Sequence, residues 1–224
     1  MAKKFNSDTT LPPKELAKHL RQPDGEIGKE IGLQMNKSNK HICLNSYKIL
    51  DPQNENHILE VGMGNGFFIK DLLNMADNLK YTGIDFSSTM VKEASLLNKT
   101  LINDKRVYLE EASIENLPFN DNSFDRISTT NTLYFWPHPV NNIQELLRVL
   151  KPNGKLLIAY RSKSCMDQLE LAKHGFEKYE NQAVENLLRD AGLKNVLTEI
   201  IKETALEFDG KVFQMEGIYT TGMK

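Results

Sequence analysis

The chain has 224 residues, 40% apolar and 26% charged, with Lys+Arg 28 against Asp+Glu 30 and a formal net charge of −2. That length suits one domain with decorations, and that apolar content suits a core needing no disulfide or metal staple. The charge balance excludes a polyanion binder built on bulk charge and a disordered acidic tail.

No run of Lys and Arg exceeds two residues, so no nucleic-acid partner is expected. Cys43 and Cys165 have no second Cys or His at metal-ligand spacing. The expectation is a reduced chain without a metal. The first residues carry no apolar core of a signal peptide, and no apolar stretch approaches the roughly 18–20 residues that span a bilayer. A cytoplasmic protein without membrane contact is therefore expected.

In chain order, residues 1–10 read as frayed. Pro12-Pro13 opens a short helix that ends before Pro23, and 24–50 reads as helical with interruptions at Gly25, Gly28 and Gly32. Residues 1–50 thus form a helical N-terminal lid, and 51–224 the main domain. From His57 strands and helices alternate: a strand at 57–61, a Gly-rich turn, a helix at 67–76 and a strand at 79–85. A helix at 87–97 follows, with Ser87 or Ser88 as N-cap, and then strands at 106–111 and 124–130. Ile143, Leu146, Leu147 and Leu150 mark one face of a helix over 140–150, stopped by Lys151-Pro152-Asn153-Gly154. A strand at 155–160 and a helix at 183–192, closed by Gly192, come next. Two extended segments, 195–208 and 211–221, flank Asp209-Gly210, a hairpin signal that makes them antiparallel neighbours. Strands separated by helices should be parallel. The expected fold is α/β, a doubly wound, Rossmann-like sheet with an antiparallel edge.

Gly62, Gly64 and Gly66 stand directly after the first of these strands, where bare backbone and a helix N-terminus can approach a ligand. Asp85, ending the second strand, is placed to accept hydrogen bonds from a ribose diol. The turn and the acid together indicate a nucleoside. The spacing is G-x-G-x-G, and Phe67 occupies the place where a dinucleotide fingerprint has its third glycine. Glu60, two residues ahead of Gly62, disfavours a pyrophosphate and suits a cationic ligand.

On these residues the chain resembles the class I S-adenosylmethionine-dependent methyltransferases, in the small-molecule branch that includes quinone-biosynthesis enzymes. Glu60-Val61-Gly62-Met63-Gly64-Asn65-Gly66 matches that family's first motif, and Asp85 its acid after the second strand. Leu117-Pro118-Phe119 with Ser123-Phe124-Asp125, and Arg148 through Gly154 with Asn153 in place of one glycine, match two more. The resemblance implies S-adenosylmethionine as cofactor and a seven-stranded sheet of order 3-2-1-4-5-7-6 with the seventh strand antiparallel. It further implies that Glu60, Gly62 and Asn131 border the methionine moiety and that Asp85 holds the ribose. Phe86 and Met90 would flank adenine, and Ser113 and Ile114 would lie at its edge, with Ser113 where many relatives carry Asp.

The loop after the fourth strand offers catalytic candidates. His138 is either a general base or a surface histidine ahead of a helix. Tyr134 and Trp136 either wall an acceptor pocket, with Tyr134 a second catalytic candidate, or pack under the loop. Arg161 could pair with a substrate anion or be solvated. In the lid, Met35 is a candidate acceptor contact or core filler. The function expected is methyl transfer to a small-molecule acceptor by a monomer or homodimer, through O, N or C. The rivals are a protein or nucleic-acid methyltransferase, a nicotinamide-dependent reductase and a non-catalytic nucleoside-binding scaffold.

Overall fold

The computed structural model describes residues 3–5, 11–208 and 211–224, with side chains over 11–205 and 212–224. The N-terminal part holds β1 (Lys3–Phe5), α1 (Pro13–Arg21), α2 (Gly25–Ser38) and α3 (Lys40–Leu50). Next come β2 (His57–Val61), α4 (Ile69–Leu73), β3 (Lys80–Asp85), α5 (Ser88–Leu97), α6 (Lys99–Asn103) and β4 (Val107–Glu111). Then follow β5 (Phe124–Thr130), α7 (Pro139–Val149), β6 (Leu150–Arg161), α8 (Lys163–Met166) and α9 (Asn181–Asp190). β7 (Lys194–Lys202), β8 (Leu206–Phe208), β9 (Lys211–Phe213) and β10 (Glu216–Met223) end the chain.

Seven strands form one sheet in the order β4-β3-β2-β5-β6-β10-β7. β10 runs antiparallel to both β6 and β7, and the five strands from β4 to β6 are mutually parallel. Counted within the sheet this is 3-2-1-4-5-7-6 with the seventh strand antiparallel, the doubly wound order expected. β7 and β10 are antiparallel neighbours as expected, but the extended segments are broken. β8 and β9 leave the sheet and pair with each other, and β1 adds parallel to β8. Lys3–Phe5 is therefore a paired strand rather than part of a frayed end. Asp209-Gly210 lies outside the described residues.

Side-chain alternation along the strands divides the core between the two faces. Leu59 and Val61 of β2, with Leu156, Ile158 and Tyr160 of β6, pack beneath α7 and α9. Ile58, Leu157, Ala159 and Tyr219 pack on the other face with Ile42, Tyr47 and Leu50 of α3 and Leu72 of α4. So α3 is a layer of the sheet's own core, and only α1 and α2 reach beyond it.

Several local expectations need correction. Gly28 and Gly32 do not interrupt α2. Both are buried, and a Cβ on Gly28 would strike the Pro23 backbone, while one on Gly32 would lie 3.3 Å from the Met90 thioether. They are glycines of close approach. The helix expected over 67–76 is confined to Ile69–Leu73. Leu150 has left α7 for extended backbone and begins β6, so Lys151 through Gly154 lie inside the strand, with Asn153 at φ +62°. Ser87 does cap α5, accepting from the Met90 N–H at 3.2 Å, and Gly192 at φ +99° follows α9.

Candidate active site

The carboxyl ends of β2, β3 and β5 open onto a cavity of about 210 Å³. This is the crevice where open α/β sheets place ligands. Its floor is the turn after β2. Gly62, Gly64 and Gly66 have φ of +78°, +59° and +67°, a region that only glycine enters freely. A Cβ on Gly62 would strike the Thr132 methyl, and one on Gly66 would stand 2.9 Å from Ala94, Asn98 and Ile69. At Gly64 nothing lies within 4 Å of a Cβ position, so the cavity wall there is bare backbone.

Asp85 is buried at the end of β3. Its Oδ2 accepts from the Gly64 N–H and its Oδ1 from the Ser87 N–H, each at 2.9 Å. These bonds hold the carboxyl on the Gly-rich turn and leave each oxygen a further lone pair for a ligand hydroxyl. Burial pushes its pKa up to about 6, against the pull of those backbone donors. Glu60 is buried beside it. Burial pushes it to about 7, although Tyr81 donates to Oε2 at 2.6 Å and Tyr47 donates to both oxygens at 3.0 and 3.1 Å. Two buried acids, shifted by burial and hydrogen bonds rather than by a basic neighbour, fit a ligand that brings hydroxyl donors and positive charge.

All ten residues expected around the cofactor line this one cavity: Glu60, Gly62, Gly64, Gly66, Asp85, Phe86, Met90, Ser113, Ile114 and Asn131. Met90 and Ile114 are buried, whereas Phe86 and Ser113 are exposed at the rim. The Ser113 hydroxyl accepts from the Glu115 N–H at 3.3 Å. α2 lines the top with Gly32, Met35 and Asn36, joined by Asn39 between α2 and α3. The start of α2 is tied down beside the Asp85 end. The Ser87 hydroxyl donates to the Pro23 carbonyl, and the Gly25 N–H donates to Thr89 Oγ1 at 3.2 Å.

Asn131 directly follows β5 at φ +58°, a conformation asparagine tolerates. Its Nδ2 donates to Asn39 Oδ1 and its Oδ1 accepts from the Tyr134 hydroxyl, both at 3.1 Å. Behind it lies a second cavity of about 190 Å³, close in size to the first, with Leu20, Met35, Asn39, Asn131 and Phe135 shared between the two. Tyr134 and Arg161 line only the second, and Met35 lines both. Trp136 lines the first, with its Nε1 donating to Thr132 Oγ1 at 3.2 Å.

Three expectations about chemistry change here. His138 is exposed and lines neither cavity, so a base at that position faces solvent rather than a reacting centre. The Tyr134 hydroxyl is already committed: it donates to Asn131 and accepts from the Arg161 backbone N–H. Burial raises its pKa, so it stays protonated and acts as a strut. Arg161 is not solvated: its guanidinium meets Glu203 at 2.8 Å with both side chains buried. The reading of the sequence passed over Asn39, Tyr47, Tyr81 and Glu203. No spacing signal marks them, since each meets its partner only across the folded chain.

Known proteins agree with this arrangement. Residues 59–158 match the methyltransferase domain family. A methyltransferase of Bacillus subtilis is 33% identical over 101 residues, 45% of this chain and 54% of its own. An O-methyltransferase of Penicillium expansum is 29% identical over 180 residues, 77% of this chain and 64% of its own. The chain thus spans between about half and two thirds of the length of these curated relatives. Among solved structures, the methyltransferase bound to the Trm112 activator of Haloferax volcanii superposes with a TM-score of 0.74 at 18% identity, over 86% of this chain and 92% of that one. That likeness concerns the fold alone. The Gly-rich turn, the acid after β3 and the family model over residues 59–158 agree: the chain carries a methyltransferase domain of the class I S-adenosylmethionine-dependent type.

Proposed function

We propose that the protein transfers a methyl group from S-adenosylmethionine, held in the first cavity, to a small molecule held in the second. One observation carries this reading: the two cavities share a wall at Asn131 and Asn39, directly beyond the carboxyl end of β5. When bound, S-adenosylmethionine supplies a methyl group on a sulfonium, and the C–S bonding pair stays with sulfur as the methyl leaves.

The chain's own residues do the rest. Asp85 would hold the ribose hydroxyls, and the bare backbone of the Gly-rich turn would lie along the ligand. Met90 and Ile114 offer apolar contact for the adenine, and Glu60 would face the methionine end. α1 and α2 border both cavities and would shield a bound ligand from solvent. Asn131, fixed by Asn39 and Tyr134, orients the boundary between donor and acceptor. Alignment of the two reactants then supplies most of the rate gain, since a well-oriented pair reacts as though at very high local concentration. No side chain in either cavity is assigned as a general base.

The test is calorimetric titration with S-adenosylmethionine, S-adenosylhomocysteine and NADH in parallel, followed by an acceptor screen with a labelled methyl group. Binding of the first two without the third, and label transferred to a small molecule, is the expected result. Binding of NADH, or label on protein or RNA alone, would overturn the reading.

A further inference from the structure

The second cavity has a predominantly apolar wall. Leu16 and Leu20 of α1, Ile31 and Met35 of α2, Phe213 at the end of β9 and Met215 just after it meet there. Three aromatic rings stand along one side, with Phe176 4.7 Å from Phe135 and 5.7 Å from Tyr134 between centroids. The formal charge on the wall comes from Arg161. Taken alone, an arginine in an apolar cavity would mark the seat of an anionic acceptor.

Glu203 changes that. It follows β7, does not line the cavity and stands behind Arg161, with the ion pair at 2.8 Å and side-chain exposures of 6% for Arg161 and 4% for Glu203. The other guanidinium arm, Nη2, lies 3.4 Å from the Ser38 carbonyl at the end of α2. A buried ion pair is retained only when each charge has its partner, because an unpaired buried charge is severely penalised. An anion entering the cavity would meet a guanidinium whose charge is already balanced by Glu203, and it would also feel the glutamate's own negative charge.

We infer that Glu203 is a specificity-determining residue: by cancelling the charge of Arg161 it restricts the second cavity to neutral acceptors with an apolar ring body. This deepens the proposed methyl transfer and rests on it only in taking the second cavity as the acceptor site. The same pair has a structural side, since Arg161 links the end of β6 to the lid through Ser38 and to the β7–β8 connection through Glu203.

The experiment titrates two compounds that share one naphthalene ring, neutral 1-naphthol and anionic 1-naphthoate, into the full chain saturated with S-adenosylhomocysteine at pH 7. The chain as it stands should bind 1-naphthol at least about tenfold more tightly than 1-naphthoate. In Glu203→Gln the uncovered guanidinium should shift that ratio at least about tenfold toward 1-naphthoate. Leu16→Trp, filling the second cavity alone, should weaken 1-naphthol by a similar factor. S-adenosylhomocysteine binding, measured on each variant, tells a lost pocket from a lost fold. If Glu203→Gln does not fold, the unmodified chain and Leu16→Trp still decide. Equal or tighter binding of 1-naphthoate to the unmodified chain, binding of neither compound, or an unchanged ratio in a folded Glu203→Gln overturns the inference. Failure to bind S-adenosylhomocysteine would instead sink the reading of the first cavity.

Discussion

The hydroxyl of Tyr47, near the end of α3, donates to both carboxylate oxygens of Glu60, at 3.0 and 3.1 Å. A residue ahead of the sheet thereby fixes the acid that opens the Gly-rich turn, and the α3 core layer and the candidate site become one unit. Tyr47→Phe removes one of the two tyrosine donors. A hydrogen bond to a charged group contributes about 1.5–3 kcal/mol. The variant should lose stability of that order at pH 8, where Glu60 is mostly ionised, and less at pH 5, where it is protonated. Urea unfolding at both pH values checks this. Equal losses would show that Glu60 is not the group that titrates.

Glu60 and Asp85 are both raised by burial, to about 7 and about 6. Raised pKa values mean that the folded state favours the protonated acids. Their contribution to stability is therefore full below the ordinary carboxylate range and is lost as pH rises through about 6 and 7. Ligand hydroxyls donating to Asp85 favour the ionised form, so binding should release protons near pH 6.5. Calorimetry of S-adenosylhomocysteine in phosphate and in Tris should give heats that differ with the buffer, and affinity should rise between pH 5 and 7.5. Identical heats and a flat affinity would refute the assignment of Asp85 to the ribose.

Asp85→Asn keeps the volume and removes the charge. It should weaken S-adenosylhomocysteine binding by on the order of tenfold or more, since charge-assisted hydrogen bonds are among the stronger ones. The measurement is a titration on the variant after its folding has been verified by urea unfolding. Unchanged affinity would remove Asp85 from the ligand site.

His138→Ala should leave turnover within about twofold once an acceptor is known, because a true general base contributes about 100-fold or more. The check is kcat on the two proteins. A hundredfold loss would place His138 back at the reacting centre and require the loop from Trp136 to Pro139 to move inward.

Much of this protein is legible locally. The alternation of strand and helix, the G-x-G-x-G turn with its positive-φ glycines, the acid ending β3 and the Ser87 cap are short-range features, because backbone conformation and nearest neighbours decide them. They show the alternating strand-and-helix class and the Gly-rich turn, while the sheet order and the other residues around the cofactor came from the family resemblance. What a linear reading misjudged were positions whose meaning depends on distant partners. Gly28 and Gly32 look like helix breaks until Pro23 and Met90 are seen against them. Arg161 shows no partner along the sequence until Glu203 is found against it, and His138 looks like a base until it is found outside both cavities. α3 looks like part of a lid until Tyr47 meets Glu60. Spacing along the chain sets backbone geometry and periodicity. Burial, charge pairing and the boundary between two cavities arise only when segments far apart in sequence are packed together, and only the tertiary structure decides them.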